Sequence, residues 1–266
     1  TRFKCDWSSD VCSSDLVMVG SSIVALSTGH YLILSPDYNN ARGVVTWGNG
    51  TATTWAGDQP FTAGPFANSL GGSTDGDRIG SAVTLLSNGN FVVSSTSWKN
   101  GAASNAGAVT WGSAATGTAI GVVSSSNSLV GVNADDKVGT TVTALLTNGN
   151  YVVGSPTWKN GGMGAEDGAA TWGNGTVGVT GAVSSANSLV GTAHFSHVGS
   201  LIVPLTNGNY VVGSPDWNDT VSKSGAVTWG NGSTGVAGSV SSANSLVGGS
   251  AQDRIGSQII ALSNGN

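Results

Sequence analysis

Residues 146–158 read Leu-Thr-Asn-Gly-Asn-Tyr-Val-Val-Gly-Ser-Pro-Thr-Trp, and copies of this segment recur along the chain. Two close copies begin at Leu86 and Leu205, a divergent one begins at Leu26, and a shortened one begins at Leu262. The glycines of the five copies lie at positions 29, 89, 149, 208 and 265, so the spacing is 57 to 60 residues. A fixed period of this length is typical of repeat architectures. The sequence therefore predicts a repeat protein.

Each unit contains segments typical of four β-strands, which we call strands A to D. In the third unit, strand A is predicted within 136–146 and strand B at Tyr151–Ser155, and the Asn-Gly pair between them predicts a two-residue type I′ hairpin. Strand C is predicted at 168–172 and strand D between 177 and 191. Four antiparallel strands per unit, with apolar residues on both faces of strands B and C, predict the blade of a β-propeller.

The predicted fold class is therefore all-β: a β-propeller-like array of four four-stranded blades of about 57–60 residues, followed by the start of a fifth. The alternative is a parallel β-solenoid with three coils per unit. Asn-Gly pairs at a fixed position favour antiparallel hairpins, and hence the blades. The predicted units are 17–76, 77–135, 136–195, 196–252 and the partial unit 253–266.

The first sixteen residues match nothing in the repeats. Residues 6–16 resemble the translation of a common sequencing adapter, so we expect residues 1–16 to be an unstructured artefact and 17–266 to be the repeat domain. The alternative is a genuine disulfide loop between Cys5 and Cys12, the only two cysteines. Because the last copy of the segment is cut short, we also expect the chain to be a fragment of a longer protein.

The charge and the hydrophobic pattern of the chain limit the partners that can be expected. The net charge is −5 and only 9% of residues are charged. A nucleic-acid surface needs clustered Lys and Arg, so nucleic acid is an unexpected partner. No apolar run approaches the length of a transmembrane helix, so we expect no membrane insertion by this part of the chain.

Two family resemblances follow from the repeated motifs. Val138-Gly139, Gly154-Ser155-Pro156 and the Gly-Ala-Ala-Thr-Trp of 168–172 resemble the FG-GAP repeat of integrin-like propellers. The motifs Asn-Gly-Asn-Tyr-Val-Val and Gly-Ala-Val-Thr-Trp-Gly-Asn-Gly resemble repeats of large bacterial filamentous-haemagglutinin-like exoproteins. The second resemblance implies a secreted or surface-displayed adhesin. The first implies calcium sites between strands A and B, but the turn at 147–150 has no carboxylate in any copy, so no calcium site is expected there.

Acidic and imidazole side chains are weak candidates for chemistry. Asp77, Asp136 and Asp253 recur at one position, either as metal ligands or as turn residues that bind backbone N–H groups, and the turn role is favoured. His194 and His197 lie near each other without a third ligand. No nucleophile, paired carboxylates or phosphate-binding loop stands out, so we expect no catalytic centre and no cofactor.

Tryptophans form two columns in the repeat, one in strand C and one just after strand B. The strand-C column is expected to pack against neighbouring blades, and the second column is a candidate platform for a partner. The expected function is a non-catalytic adhesion module that binds a protein or glycan through its B–C loops, 38–42, 98–106, 158–167 and 217–224. The alternative is a lectin that uses tryptophan platforms. The candidate binding residues are Trp98, Trp158, Trp217, Lys99, Lys159, Glu166 and Asp167.

Overall fold

The computed structural model describes residues 20–51, 68–117, 120–161, 166–218 and 221–265. The proposed artefact at 1–16 lies outside these ranges. Each of the four units forms its own antiparallel sheet in the order A-B-C-D. These sheets confirm the all-β blade array and exclude the parallel solenoid for the described residues.

The strand bounds repeat closely from unit to unit. The first sheet contains Ser22–Ala25 (β1), Tyr31–Ser35 (β2), Val44–Gly48 (β3) and Ser69–Gly71 (β4). The second contains Ala82–Leu85 (β5), Phe91–Ser95 (β6), Ala108–Gly112 (β7) and, after the short strand Gly121–Val122 (β8), Leu129–Val130 (β9). The third contains Thr141–Ala144 (β10), Tyr151–Ser155 (β11), Ala169–Gly173 (β12) and, after Gly181–Ala182 (β13), Ser188–Val190 (β14). The fourth contains Leu201–Pro204 (β15), Tyr210–Ser214 (β16), Ala226–Gly230 (β17) and, after Gly238–Ser239 (β18), Ser245–Val247 (β19).

The short strands β8, β13 and β18 each join the sheet of the preceding unit. Each pairs in parallel with that unit's D strand, as in Leu70 with Gly121 and Leu189 with Gly238. The residue after each short strand adds a further backbone bond, for example from Val183 N–H to the carbonyl of Val130 at 3.1 Å. The prediction of a single strand D was therefore wrong. The segment forms two strands: a short one that pairs with the preceding sheet, and a second one that completes the sheet of its own unit.

The hydrophobic core lies between consecutive sheets. Three clusters of buried side chains fill the spaces between sheets one and two, two and three, and three and four. Strands β6 and β11 are buried at every position, as expected for inner strands that are covered on both faces. The A strands of consecutive units also contact one another, β5 with β10 and β10 with β15. The unit-to-unit interface therefore supplies most of the apolar burial, as in other repeat proteins.

The A–B hairpin differs from the predicted type I′ turn. In the second unit, Leu86 N–H bonds to the carbonyl of Asn90 at 2.8 Å, and Gly89 N–H bonds to that of Leu86 at 2.9 Å. The loop therefore has three residues, of which Gly89 has a positive φ of 88° and Asn88 does not. This is a turn followed by a left-handed glycine, the arrangement that three-residue hairpins prefer. The Asn-Gly signal located the hairpin but gave the wrong turn type.

The first B–C loop contains a short helical turn, Tyr38–Ala41 (α1), that was not predicted. Asn39, Asn40 and Ala41 all have positive φ values of 51° to 57°, so this is a left-handed turn rather than an ordinary α-helix. Asparagine tolerates this conformation better than most residues, which accounts for the pair at 39–40.

Candidate interaction surface

The strand-C tryptophans fasten each unit to the next. Trp47, Trp111 and Trp172 each donate their indole N–H to a backbone carbonyl of the following unit, at 3.0 to 3.1 Å. The acceptors of these three bonds are Ala114, Gly175 and Gly232. Each ring also lies against a glycine of that unit, at a distance that leaves no room for a Cβ atom. These tryptophans therefore pack between units rather than face a ligand.

The Asn-Gly-Asn motif completes the same joint. The carbonyl of Gly175 accepts the amide N–H groups of Asn88 at 2.7 Å and Asn90 at 2.9 Å, in addition to the indole of Trp111. The carbonyl of Gly232 is bound in the same way by Asn148, Asn150 and Trp172. A carbonyl has two lone pairs, so three donors share one oxygen in each joint. The recurring Asn-Gly-Asn motif thus forms hydrogen bonds that hold consecutive units together.

The second tryptophan column is buried. Trp98, Trp158 and Trp217 are at most 5% exposed, and each belongs to one of the core clusters. Their ring faces are covered by apolar side chains of neighbouring sheets. Direct binding through these rings stays a prediction, and the structure shows them in a packing role.

Lys99 and Lys159 follow this column and are tied to the connection between units. The backbone N–H of Lys99 donates to the buried carboxylate of Asp77, and that of Lys159 donates to Asp136. Each carboxylate also accepts two N–H groups from its own connection, at 2.8 to 3.0 Å. The recurring aspartate is therefore a structural turn residue at 77 and 136. The side chain of Lys159 is mostly buried, and its ammonium group donates to the carbonyl of Ala134 at 2.5 Å.

Glu166 and Asp167 have different environments. Asp167 is buried and its carboxylate accepts the N–H of Asn160 at 2.8 Å, which closes the third B–C loop. This hydrogen bond draws the Asp167 side chain inward, away from solvent. Glu166 is partly exposed and lies 2.9 Å from Nε2 of His197 in the next unit.

Glu166 belongs to a charged cluster that spans three units. Nδ1 of His197 lies 3.4 Å from Asp216, whose carboxylate also lies 3.1 Å from Arg254 and 3.6 Å from Lys223. Opposite charges alternate along the cluster, so each carboxylate has a cationic or ionisable neighbour. The two carboxylates approach opposite nitrogens of the imidazole, and so they do not converge on one point.

An open groove lies between the B–C loop of the second unit and the connection that follows it. It encloses about 490 Å³ and is lined by Asn100, Ala102, Ala103, Val132, Asn133, Ala134 and Lys159. The lining combines apolar side chains with two amides and one ammonium group. Concave sites of this composition suit a small polar ligand or one side chain of a partner.

The pKa values of two carboxyl groups in the connections between units are shifted in opposite directions. The guanidinium of Arg42, 2.7 Å from Asp75, lowers the pKa of that exposed carboxyl. Burial raises the pKa of Asp136 despite its backbone hydrogen bonds and the nearby Lys159 ammonium. In the core, burial raises the pKa of Tyr210 to about 12.

Within the described ranges, no three His, Cys, Asp or Glu side chains are grouped so that they could hold a metal ion. The same part of the chain has no helix that is both long and apolar enough to cross a membrane.

A family model for a repeat of unknown function (DUF5650) matches four segments, residues 25–81, 85–140, 145–200 and 204–257. Together these segments cover most of the chain. The chain belongs to this family. Each DUF5650 match begins at or just after the last residue of an A strand, so the family repeat and the sheet are offset by one strand. No curated protein matches the chain.

Some residues of this edge were missed by the sequence reasoning. The groove brings together Asn100 and Asn133, which lie in one DUF5650 repeat, and Lys159 of the next repeat. The charged cluster around Asp216 has a weak counterpart in the sequence of the first unit. Asp37 occupies the same position there and pairs with Arg78 at 2.8 Å. An alignment of the units would have placed an acid before the aromatic residue and a base in the next connection.

Proposed function

We propose that the chain is a non-catalytic adhesion or interaction module, part of a larger bacterial exoprotein that is secreted or displayed at the cell surface. Its partner is a protein or a glycan on another surface. The resemblance to filamentous-haemagglutinin-like repeats supports the location, and the resemblance to FG-GAP propellers supports the binding role.

One observation carries the proposal: the strand-C indole makes the same bond to a backbone carbonyl at each joint between the described units, whereas the edge formed by the B–C loops differs from unit to unit. This edge has a left-handed turn with Arg42 and Asp75 in the first unit, the open groove after the second, and the charged cluster from the third onward. A rigid scaffold that presents variable loops is the usual design of a binding surface. Several weak contacts along one array also add up to useful avidity.

The groove favours a glycan as a second candidate ligand. Val132 and Ala103 contribute apolar surface to the groove, and Asn100, Asn133 and Lys159 contribute polar groups. We propose the groove rather than the tryptophans after strand B as the glycan contact, since Trp98, Trp158 and Trp217 are buried.

The test is to fill the groove without disturbing the fold. Val132 is exposed, so Val132→Arg is expected to leave the unfolding curve unchanged while it abolishes adherence to cells and binding on a glycan array. The matched control is Val177→Arg, because Val177 is exposed in a turn away from the groove. Equal adherence of the two variants and the parent chain would refute binding through the groove. Replacement of the exposed loop residues 101–105 then tests the rest of the edge.

A further inference from the structure

The turn that follows strand C in the first unit brings a side-chain amide, a backbone nitrogen and an imidazole together. The turn contains Asn49-Gly50-Thr51, and the side-chain oxygen of Asn49 accepts hydrogen bonds from the backbone N–H of Thr51 at 3.0 Å and from its hydroxyl at 2.7 Å. The backbone N–H of Gly50 donates to Nδ1 of His30 at 3.3 Å. An electrophilic carbonyl, a nitrogen that can attack it and a base therefore lie in one turn.

Among the described residues, only the first unit has a base at this position. In the other units, the equivalent backbone N–H groups donate to an asparagine side-chain oxygen at 2.8 to 3.1 Å, in the pairs Ala114 with Asn90, Gly175 with Asn150 and Gly232 with Asn209. An amide oxygen accepts a hydrogen bond but takes up no proton near neutral pH, whereas a neutral imidazole nitrogen does. His30 therefore puts a base where the repeat otherwise has a structural acceptor.

The imidazole of His30 lies against the ring of Trp47. The ring centroids are 4.8 Å apart, at an interplanar angle of 55°. The indole of Trp47 is itself held by its hydrogen bond to the carbonyl of Ala114. Because Nδ1 of His30 accepts the N–H of Gly50, the proton of the neutral ring is on Nε2. The lone pair of Nδ1 is therefore directed at the hydrogen atom that has to be removed.

We propose that Asn49-Gly50 is a self-modification site, with His30 as the general base that converts the Asn49 amide to a carboxylate. The nitrogen of Gly50 attacks Cγ of Asn49 and closes a succinimide ring, while its proton passes to Nδ1 of His30. The bond between Cγ and Nδ2 then breaks, and Nδ2 leaves as ammonia with the proton that His30 returns. Water, the only co-reactant, opens the ring to an aspartyl or an isoaspartyl residue at position 49.

The turn supports each part of this reaction. Negative charge develops on Oδ1 of Asn49 when Cγ is attacked, and the two donors of Thr51 already point at that oxygen, as in an oxyanion hole. Among the described residues, the Nδ2 group of Asn49 has no acceptor, so no hydrogen bond there holds back the leaving group. The nucleophile and the electrophile belong to adjacent residues, and such proximity lowers the barrier to ring closure.

The equivalent turns of the third and fourth units show that solvent reaches this position. Asn174 and Asn231 also accept hydrogen bonds from the residues that follow them, and both are half-buried although the preceding unit packs on their turns. They have the electrophile of the first unit without its base. Either product at position 49 adds a negative charge to the turn, and the isoaspartyl product also adds a carbon to the main chain. The reaction is independent of the binding role proposed above.

The test is peptide mapping of the full chain by mass spectrometry during incubation at neutral pH, with isoaspartyl residues detected by enzymatic methylation. Asn49 is expected to convert at least about tenfold faster than Asn174 and Asn231, because a general base contributes that much or more. His30→Asn restores the residue of the other units, so it should remain folded by circular dichroism and convert Asn49 at least about tenfold more slowly. No conversion of Asn49, or an equal rate in the parent chain and His30→Asn, overturns the proposal.

A second variant moves the base to another unit. Asn209→His places an imidazole next to the N–H of Gly232, so conversion of Asn231 is expected to accelerate at least about tenfold. An unchanged rate at Asn231 in the folded variant would refute the role of the imidazole. In urea, the parent chain and His30→Asn should convert Asn49 at the same rate, because the hydrogen bond to Gly50 exists only in the folded chain. A difference between them that persists in urea would assign the effect to the local sequence and overturn the proposed site.

Discussion

The substitution Trp172→Phe isolates one bond of the inter-unit joint, and Trp229→Phe is its matched control. Both residues occupy the same strand-C position, but among the residues that the structure describes only the indole of Trp172 has an acceptor, the carbonyl of Gly232 at 3.0 Å. The comparison therefore separates the contribution of the joint from the intrinsic effect of replacing tryptophan in this strand.

The expected loss can be worked out from the contacts. Two asparagine amides still bind the Gly232 carbonyl after Trp172→Phe, so no buried acceptor is left without a donor, and the bond contributes its net value of about 0.5–1.5 kcal/mol. The smaller ring also buries less apolar surface, roughly 30 Å² at about 25 cal/mol per Å², or nearly 1 kcal/mol. Trp172→Phe should therefore lower the free energy of unfolding by about 1–2.5 kcal/mol, and Trp229→Phe by less than about 0.5 kcal/mol.

The assay is urea unfolding followed by far-ultraviolet circular dichroism. A common slope of the two transitions would show that the midpoints can be compared directly. Equal losses in the two variants, or a loss below about 0.5 kcal/mol for Trp172→Phe, would refute the assignment of the strand-C tryptophan to the joint.

Three further predictions concern other parts of the joint. Asn90→Asp should lower the free energy of unfolding by about 2 kcal/mol at neutral pH, because a carboxylate replaces the donor to the Gly175 carbonyl. Part of this loss should be recovered in acid, where a protonated carboxyl group can donate. Urea titrations at pH 7 and pH 3 check both expectations. Burial raises the pKa of Asp136, so the stability that this group contributes is greatest below its unfolded pKa and falls as pH rises through its folded pKa. The difference in free energy of unfolding between the parent chain and Asp136→Asn should therefore shrink as pH rises from about 4. A difference that grows with pH would contradict this prediction. Gly107→Ala should lower the free energy of unfolding by more than about 3 kcal/mol, because its Cβ would lie 2.3 Å from a backbone nitrogen of the next unit. Gly101 also has a positive φ but has open space around it, so the control Gly101→Ala should lower it by only about 1 kcal/mol. Thermal unfolding of the two variants measures the difference.

The fold was largely predictable because each unit repeats the same local signals. Strand B was predicted at Tyr151–Ser155 and is observed there, since a hairpin precedes it and Pro156 ends it. Strand C was displaced by one residue, to Ala169–Gly173. The two-residue strand at Gly181–Ala182 was missed because its pairing depends on the backbone of another unit, and neither side-chain pattern nor propensity records that partner.

The surface was less predictable, because it is formed between units. The recurrence of tryptophan at 98, 158 and 217 fits packing as well as recognition, and only the coordinates show that neighbouring sheets cover the rings. Asn-Gly-Asn was interpreted as a turn signal, although its two asparagine side chains also hold the next unit. A residue that serves both its own turn and a distant carbonyl gives the same sequence pattern as one that serves the turn alone.

The short strands β8, β13 and β18 have a consequence for synthesis on the ribosome. The outer edge of each of the first three sheets is supplied by a segment about 50 residues further along the chain, as between Leu70 and Gly121. At about 5–20 residues per second, each of these sheets waits several seconds for its last strand to emerge. During that interval a nascent unit presents a free edge to whatever chain is nearby, including the growing chain of an adjacent ribosome. Translation speed thus decides whether the edge is closed by its own chain or by a neighbour.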